Sequence, residues 1–182
     1  MKKLLTVFIS VFILVLLVYG LYEQVKKQQI PGKLDRLECH KKVTCFEKVF
    51  LEDQLELAKK LFMDGDLKIY SSIDKSTHMQ STLFDFVSIE DTEQFLYNHI
   101  QTFTKKEILY KNGVAVKIKI YENDKEDPNK KSDKCKLFRG YVVLEIFKDK
   151  QLVYKNQIDF MDYQGKDIPN ALECAVKSFL TS

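Results

Sequence analysis

The side chains best suited to chemistry in this chain are four cysteines, Cys39, Cys45, Cys135 and Cys174, and three histidines, His40, His78 and His99. Cys39 and Cys45 bracket the run His40-Lys41-Lys42-Val43-Thr44. Thiolate and imidazole together suit zinc, but structural zinc sites space their thiols by about two to four residues and add a second Cys/His pair. The Cys39, His40, Cys45 set has neither feature. A redox-active dithiol calls for Cys-x-x-Cys and haem attachment for Cys-x-x-Cys-His, and the chain holds neither. The four thiols read as disulfide candidates. They permit three pairings, of which the most local joins Cys39 to Cys45 and Cys135 to Cys174, and sequence alone leaves all three open.

General acid–base work needs a titratable group with a partner in hydrogen-bond reach. His99 falls on the apolar side of a helical pattern beside Phe95 and Phe103, the place of a packed core histidine. His78 sits in the polar stretch that includes Asp74-Lys75-Ser76-Thr77 and reads as a loop residue. The carboxylate pairs Asp64/Asp66 and Asp159/Asp162 read as turn chemistry at the ends of a helix and a strand. Asp124, Glu126 and Asp127 lack the spacing and the terminal glutamate of a calcium loop. No Gly-x-Ser-x-Gly, His-Glu-x-x-His or phosphate-cradling glycine loop occurs. The chain therefore reads as a non-enzyme with no metal, cofactor or catalytic residue.

What must position these groups is a chain of 182 residues with 45% hydrophobic and 30% charged content. That is enough apolar surface for one core and too much for a disordered chain. The net charge of +3 includes Lys2 and Lys3, and the remaining lysines are interleaved with acids. A nucleic-acid binder instead concentrates cations on one face to meet phosphates, so nucleic acid is not an expected partner.

Leu4 to Tyr22 carries no charge and includes Leu4, Phe8, Phe12, Leu16 and Tyr19. At about 1.5 Å per residue such a helix covers the roughly 30 Å core of a bilayer. Residues 1–22 read as an uncleaved transmembrane anchor, because a cleavable signal has a shorter apolar region of about 7 to 15 residues. Val18 and Gly20 lie inside the run, and Tyr19, Leu21 and Tyr22 form an aromatic edge at the interface. Lys2 and Lys3 on one side nearly balance Lys26, Lys27 and Lys33 on the other, so charge does not set the orientation. An even number of cysteines beyond the span suits an oxidising compartment. The expected location is the bacterial inner membrane, single-pass, with the rest of the chain in the periplasm.

Residues 23–50, with Ile30-Pro31-Gly32 and the Cys39/Cys45 loop, read as a linker, and residues 51–182 as the folded domain. Leu51, Leu55, Ala58 and Phe62 repeat at helical spacing up to Asp64-Gly65. Leu67–Ile73 and Thr82–Ser88 are predicted strands, and Ser88 caps a predicted helix containing Phe95, Leu96, His99, Ile100 and Phe103. Val114, Val116, Ile118 and Ile120 alternate with Ala115, Lys117, Lys119 and Tyr121, and Asn112-Gly113 predicts a hairpin with Ile108-Leu109-Tyr110. A second hairpin is predicted from about Leu137 to Tyr163, turning at Lys148-Asp149-Lys150. Pro169 opens a final helix with Ile168, Leu172, Ala175, Val176 and Phe179 on one face. The segment from Glu122 to Lys134, with Asp124, Lys125, Glu126, Asp127, Lys130 and Lys131, is too polar to pack and reads as a protruding, solvated loop, a candidate for partner contact. The predicted class is α+β, an antiparallel sheet of hairpins with helices on one face, behind one transmembrane helix.

The stretch Leu57-Ala58-Lys59-Lys60-Leu61-Phe62-Met63-Asp64-Gly65-Asp66-Leu67, followed by paired hairpins, resembles the opening of cone-shaped NTF2-like domains, including the periplasmic domains of type IV secretion assembly factors. Gln151-Leu152-Val153-Tyr154 through Pro169-Asn170-Ala171-Leu172 resembles small periplasmic accessory proteins with a sheet and a C-terminal helix. The resemblances cover different halves, and both imply a non-catalytic domain within a multiprotein envelope complex. The expectation is an accessory or scaffold subunit of a flagellar motor or secretion system. Its partners would be other envelope proteins, with further copies of itself as one option. The alternative is small-ligand binding in an NTF2-like pocket lined by Phe84, Phe86, Tyr110, Tyr121 and Tyr141.

Overall fold

Two periodicities build this domain: alternating apolar residues give strands, and apolar residues at helical spacing give the layer that covers them. The computed structural model describes residues 37–130 and 136–182. In chain order these form α1 (Glu38–Lys42), β1 (Cys45–Val49), α2 (Glu52–Met63), β2 (Leu67–Asp74), α3 (Ile89–Phe103), β3 (Val114–Glu122), β4 (Gly140–Lys148), β5 (Gln151–Phe160) and α4 (Ile168–Thr181). The class is α+β, with one five-stranded sheet in the order β1-β5-β4-β3-β2. Among the described residues no helix is long and apolar enough to cross a membrane. The expected anchor residues Leu4, Phe8, Phe12, Leu16 and Tyr19 lie outside the described residues, as do Lys131 and Cys135.

The sheet is mixed, which corrects the all-antiparallel expectation. β1, β5, β4 and β3 pair antiparallel, but β2 runs parallel to β3, from Leu67 opposite Val114 to Asp74 opposite Tyr121. The cause is connectivity: the chain leaves β2, crosses the sheet as α3 and re-enters in the same direction, which forces a β-α-β unit. β2 thus occupies the edge of β3 that the predicted hairpin would have filled. Ile108-Leu109-Tyr110 is in no strand. Asn112-Gly113 docks on the α2–β2 turn instead, with Lys111 N donating to Asp66 Oδ1 at 2.7 Å and Val114 N to Asp66 O at 3.0 Å. A Cβ on Gly113 would lie 1.6 Å from Asp66 O, so close approach explains the glycine.

Two further expectations change. Thr82–Ser88 contains a short 3-10 turn, Leu83–Asp85, rather than a strand, because the Thr82 and Leu83 amides turn toward the Glu122 carboxylate. The expected linker up to residue 50 contributes α1 and β1 to the domain, with Cys45–Val49 pairing along Tyr154–Ile158 of β5. The second hairpin forms as expected, and its two loop residues, Asp149 and Lys150, both take left-handed φ values of 50° and 67°. Those values suit a type I′ turn, whose twist matches that of the flanking strands.

The apolar faces of α2, α3 and α4 lie on one side of the sheet. Leu55, Ala58 and Phe62 from α2, Leu96 and Ile100 from α3, and Leu172, Ala175, Val176 and Phe179 from α4 form one cluster with Val116, Ile118, Ile120, Val142, Leu144 and Ile146. Phe179 meets Phe62 edge-on at 5.5 Å and lies 5.3 Å from Tyr154. Each such large side chain contributes about 1.5–3 kcal/mol on burial. α2 ends in a Schellman motif, with Gly65 at φ 78° and its N–H, together with that of Asp66, donating to Phe62 O and Leu61 O. Ser88 caps α3, its Oγ accepting from Asp91 N at 3.2 Å.

Candidate interaction face

Because strand side chains alternate, covering one face with helices leaves the other to the odd-numbered residues of β3 and β4. No helix among the described residues covers that second face. Register sets its rows. Tyr121 lies opposite Tyr141, which lies opposite Asp159. Lys119, Val143, Gln157 and Phe46 form the next row, and Tyr70, Lys117, Glu145, Lys155 and Lys48 the next.

The face is built from aromatic rings with lysines laid across them. Tyr121 and Tyr141 stack with centroids 4.8 Å apart and planes 19° from parallel. Lys117 Nζ lies 4.4 Å from the Phe147 centroid, Lys119 Nζ 5.1 Å from that of Tyr121, and Lys68 Nζ 5.1 Å from that of Tyr70. Ion pairs join Lys155 to Glu145 at 2.8 Å and Lys119 to Asp74 at 3.5 Å. The hydrogen bond with Tyr121, with help from Asp74, pushes the Lys119 pKa up. Phe46 remains 62% exposed at one end. Beside it a recess of about 450 Å3 is lined by Phe46, Phe138, Tyr141, Gln157 and Asp159, with Lys130 at its margin. Burial raises the pKa of Asp159, against hydrogen bonds from Gln157 and Thr44 that lower it. Burial and the neighbouring Tyr121 raise that of Tyr141. Aromatic rings, aliphatic lysine stems and a few fixed charges make a surface suited to adhesion.

The polar segment after β3 is anchored by its first residues. Asp124 Oδ2 accepts from Thr77 N at 2.7 Å, His78 N at 2.6 Å and His78 Nδ1 at 2.9 Å, binding the β2–α3 loop. Asp127 Oδ1 accepts from Asn129 N at 2.9 Å, and Lys130 Nζ donates to Asp124 O at 2.8 Å and to Asn123 Oδ1. Lys125 and Glu126 are exposed. The His78–Asp124 pair has the geometry of a base with its orienting carboxylate, but that carboxylate also binds two backbone amides and so closes a loop.

The residue missed by sequence reasoning is Glu122. Its buried carboxylate accepts from Thr82 N at 3.0 Å, Leu83 N at 2.9 Å and Ser76 Oγ at 3.0 Å, and lies 3.3 Å from Arg139 Nη2. Burial opposes its charge, yet hydrogen bonds from Ser81, Thr82, Leu83 and Ser76 outweigh that and lower its pKa to about 2. Arg139 also donates to Tyr163 O at 3.0 Å and Thr82 Oγ1 at 2.8 Å, so one ion pair gathers three loops. The available signal was register: Glu122 continues the inward series Val114, Val116, Ile118 and Ile120.

The thiols pair differently from the most local scheme. Cys39 is bonded to Cys174, 135 positions later, tying α1 to α4; Cys39–Cys45 and Cys135–Cys174 are thereby replaced. Cys45 lies in β1, half-buried. Ligand atoms of Cys39, His40 and Cys174 lie within 4.8 Å of one another, so Cys174 and not Cys45 shares the neighbourhood of His40. Both sulfurs are committed to the disulfide, and His40 Nε2 lies 2.6 Å from Ser178 Oγ. His99 lies between Phe95 and Phe103 but is half-buried beside an exposed Phe95 and stands outside the core cluster, which corrects the expectation of a core histidine; partial burial lowers its pKa. The five aromatic residues of the expected pocket are dispersed: Tyr121 and Tyr141 stack on the open face, Phe84 packs against the core, Phe86 meets Tyr163, and Tyr110 is 53% exposed. No protein-family model, curated protein or solved structure matches the chain.

Proposed function

We propose that this chain is a non-catalytic accessory or scaffold subunit of a bacterial envelope assembly, such as a flagellar motor or secretion system. Residues 1–22 tether it to the inner membrane, and the domain works in the periplasm through protein–protein contacts. The observation that carries the reading is the open sheet face, where Tyr70, Tyr121, Tyr141, Phe147 and Phe46 lie among lysines instead of under a helical layer. Aromatic rings among charged groups, exposed at Tyr70 and Phe46 and half-buried at Tyr121, Tyr141 and Phe147, are what the cores of partner-binding patches are made of. The Cys39–Cys174 bond supports an oxidising compartment, where such cross-links persist.

The test is co-isolation of the full-length protein from gently solubilised membranes, with mass spectrometry of what accompanies it. Defined envelope components should co-purify with the wild type and be lost with Tyr121→Ser/Tyr141→Ser. Recovery of the protein alone after crosslinking would remove the proposal.

A further inference from the structure

β2 is the outermost strand of the sheet, eight residues long, and among the described residues its backbone pairs only with β3. Alternate amides and carbonyls therefore point outward. Sheets blunt such edges with proline, bulges or rows of charge. β2 reads Leu-Lys-Ile-Tyr-Ser-Ser-Ile-Asp, with no charge or proline between Ile69 and Ile73. It is a template for another strand.

Alongside this edge runs α3, and between them lies a groove of about 510 Å3 lined by Ile69, Tyr70, Ser71, Glu90, Glu93 and Tyr97, with Gln94. Glu90, Glu93 and Tyr97 fall three and seven positions apart and share one side of the helix. Ser71 Oγ donates to Glu93 Oε1, which places Glu93 at the middle of β2. The helix of a β-α-β crossover runs back against its strands, so Tyr97 lies one turn toward Ile69 and Glu90 lies toward the other end.

We propose that this groove takes an extended segment of a partner protein as a sixth strand. The partner presents an apolar residue to Ile69 and Tyr97 and, two positions along, a lysine or arginine to Glu93 and Glu90. The spacing fits: one helical turn, about 6 Å for four residues, matches two strand residues, about 6.6 Å. Backbone pairing supplies affinity, and the alternate side chains supply specificity. A second copy of β2 fits worse, because two-fold pairing about Ser71 would bring Glu93 of one chain toward Glu93 of the other. The groove lies at the sheet edge beside α3; it shares Tyr70 with the open sheet face but none of Tyr121, Tyr141, Phe147 and Phe46.

Fluorescence anisotropy of the full-length chain in detergent tests it, using a labelled peptide Thr-Val-Thr-Arg-Thr-Val-Thr and the same peptide with glutamate for arginine. The arginine peptide should bind at least about tenfold tighter, Glu90→Lys/Glu93→Lys should reverse the preference, and Leu57→Ser, on the exposed side of α2, should leave both affinities unchanged. If that variant does not fold, Glu90→Gln/Glu93→Gln, checked by an unaltered thermal melt, should erase the discrimination. Two peptides N-methylated at complementary alternate positions should differ, only one losing affinity, because only one edge of the added strand faces β2. Equal binding of the charge-reversed peptides, no binding up to millimolar concentration, or equal loss from both methylation patterns would overturn the proposal.

Discussion

Tyr121 and Tyr141 stand opposite each other on β3 and β4, their rings stacked 4.8 Å apart on the face that no described helix covers. A cross-strand aromatic pair contributes only about 0.5–1 kcal/mol to a sheet. Removing it should therefore separate stability from association. Tyr121→Ser/Tyr141→Ser is expected to unfold in urea within about 1–2 kcal/mol of the wild type while losing its envelope partners. A collapse of several kcal/mol would make the pair structural.

The disulfide is a second point of contact with experiment. Cys39 and Cys174 close nearly the whole domain into one loop. Cross-links of this kind stabilise by roughly 2–4 kcal/mol, mainly by restricting the unfolded chain. Peptide mapping without reductant should recover the Cys39–Cys174 peptide, and Cys174→Ser should lower the midpoint of thermal unfolding. Recovery of a Cys39–Cys45 peptide would contradict the arrangement.

Glu122 sets an acid limit. Its folded pKa of about 2 lies below the 4.5 of an ordinary glutamate, so its contribution is present above 4.5 and is lost as pH falls toward 2. The shift corresponds to something on the order of 3 kcal/mol at neutral pH. Urea titrations at pH 7 and pH 3 should show a drop in the wild type. Glu122→Gln should already be destabilised at pH 7 and should lose less between the two.

Lys150 occupies a left-handed conformation without being glycine. An L-residue there costs roughly 1–2 kcal/mol relative to an unstrained one. Lys150→Gly is expected to raise stability by about 1 kcal/mol, read as a higher urea midpoint with an unchanged slope.

What the chain discloses by pattern and what it conceals divide along physical lines. α4 and the β4–β5 hairpin were legible because apolar periodicity and turn position depend on local sequence. The direction of β2 was not, since alternation at Leu67, Ile69 and Ile73 carries no information about which strand lies alongside. Ile108-Leu109-Tyr110 looked like a strand by composition, yet Leu109 and Tyr110 are exposed, and the Leu109 amide donates to Gly65 O at 2.8 Å. Asp124 looked like solvated charge because nothing local shows that the amides of residues 77 and 78 converge on it. The open face was visible only once register had placed Tyr121, Tyr141 and Phe147 on the same side.

The most direct measurement is site-specific photocrosslinking in intact cells, with a photoreactive phenylalanine analogue placed at Tyr121, at Phe147 or, as a control on the surface of α2, at Leu57. The account predicts one discrete protein adduct from Tyr121 and Phe147, the same partner in both, and none from Leu57. Equal labelling at all three positions, or none at the sheet face, would contradict it.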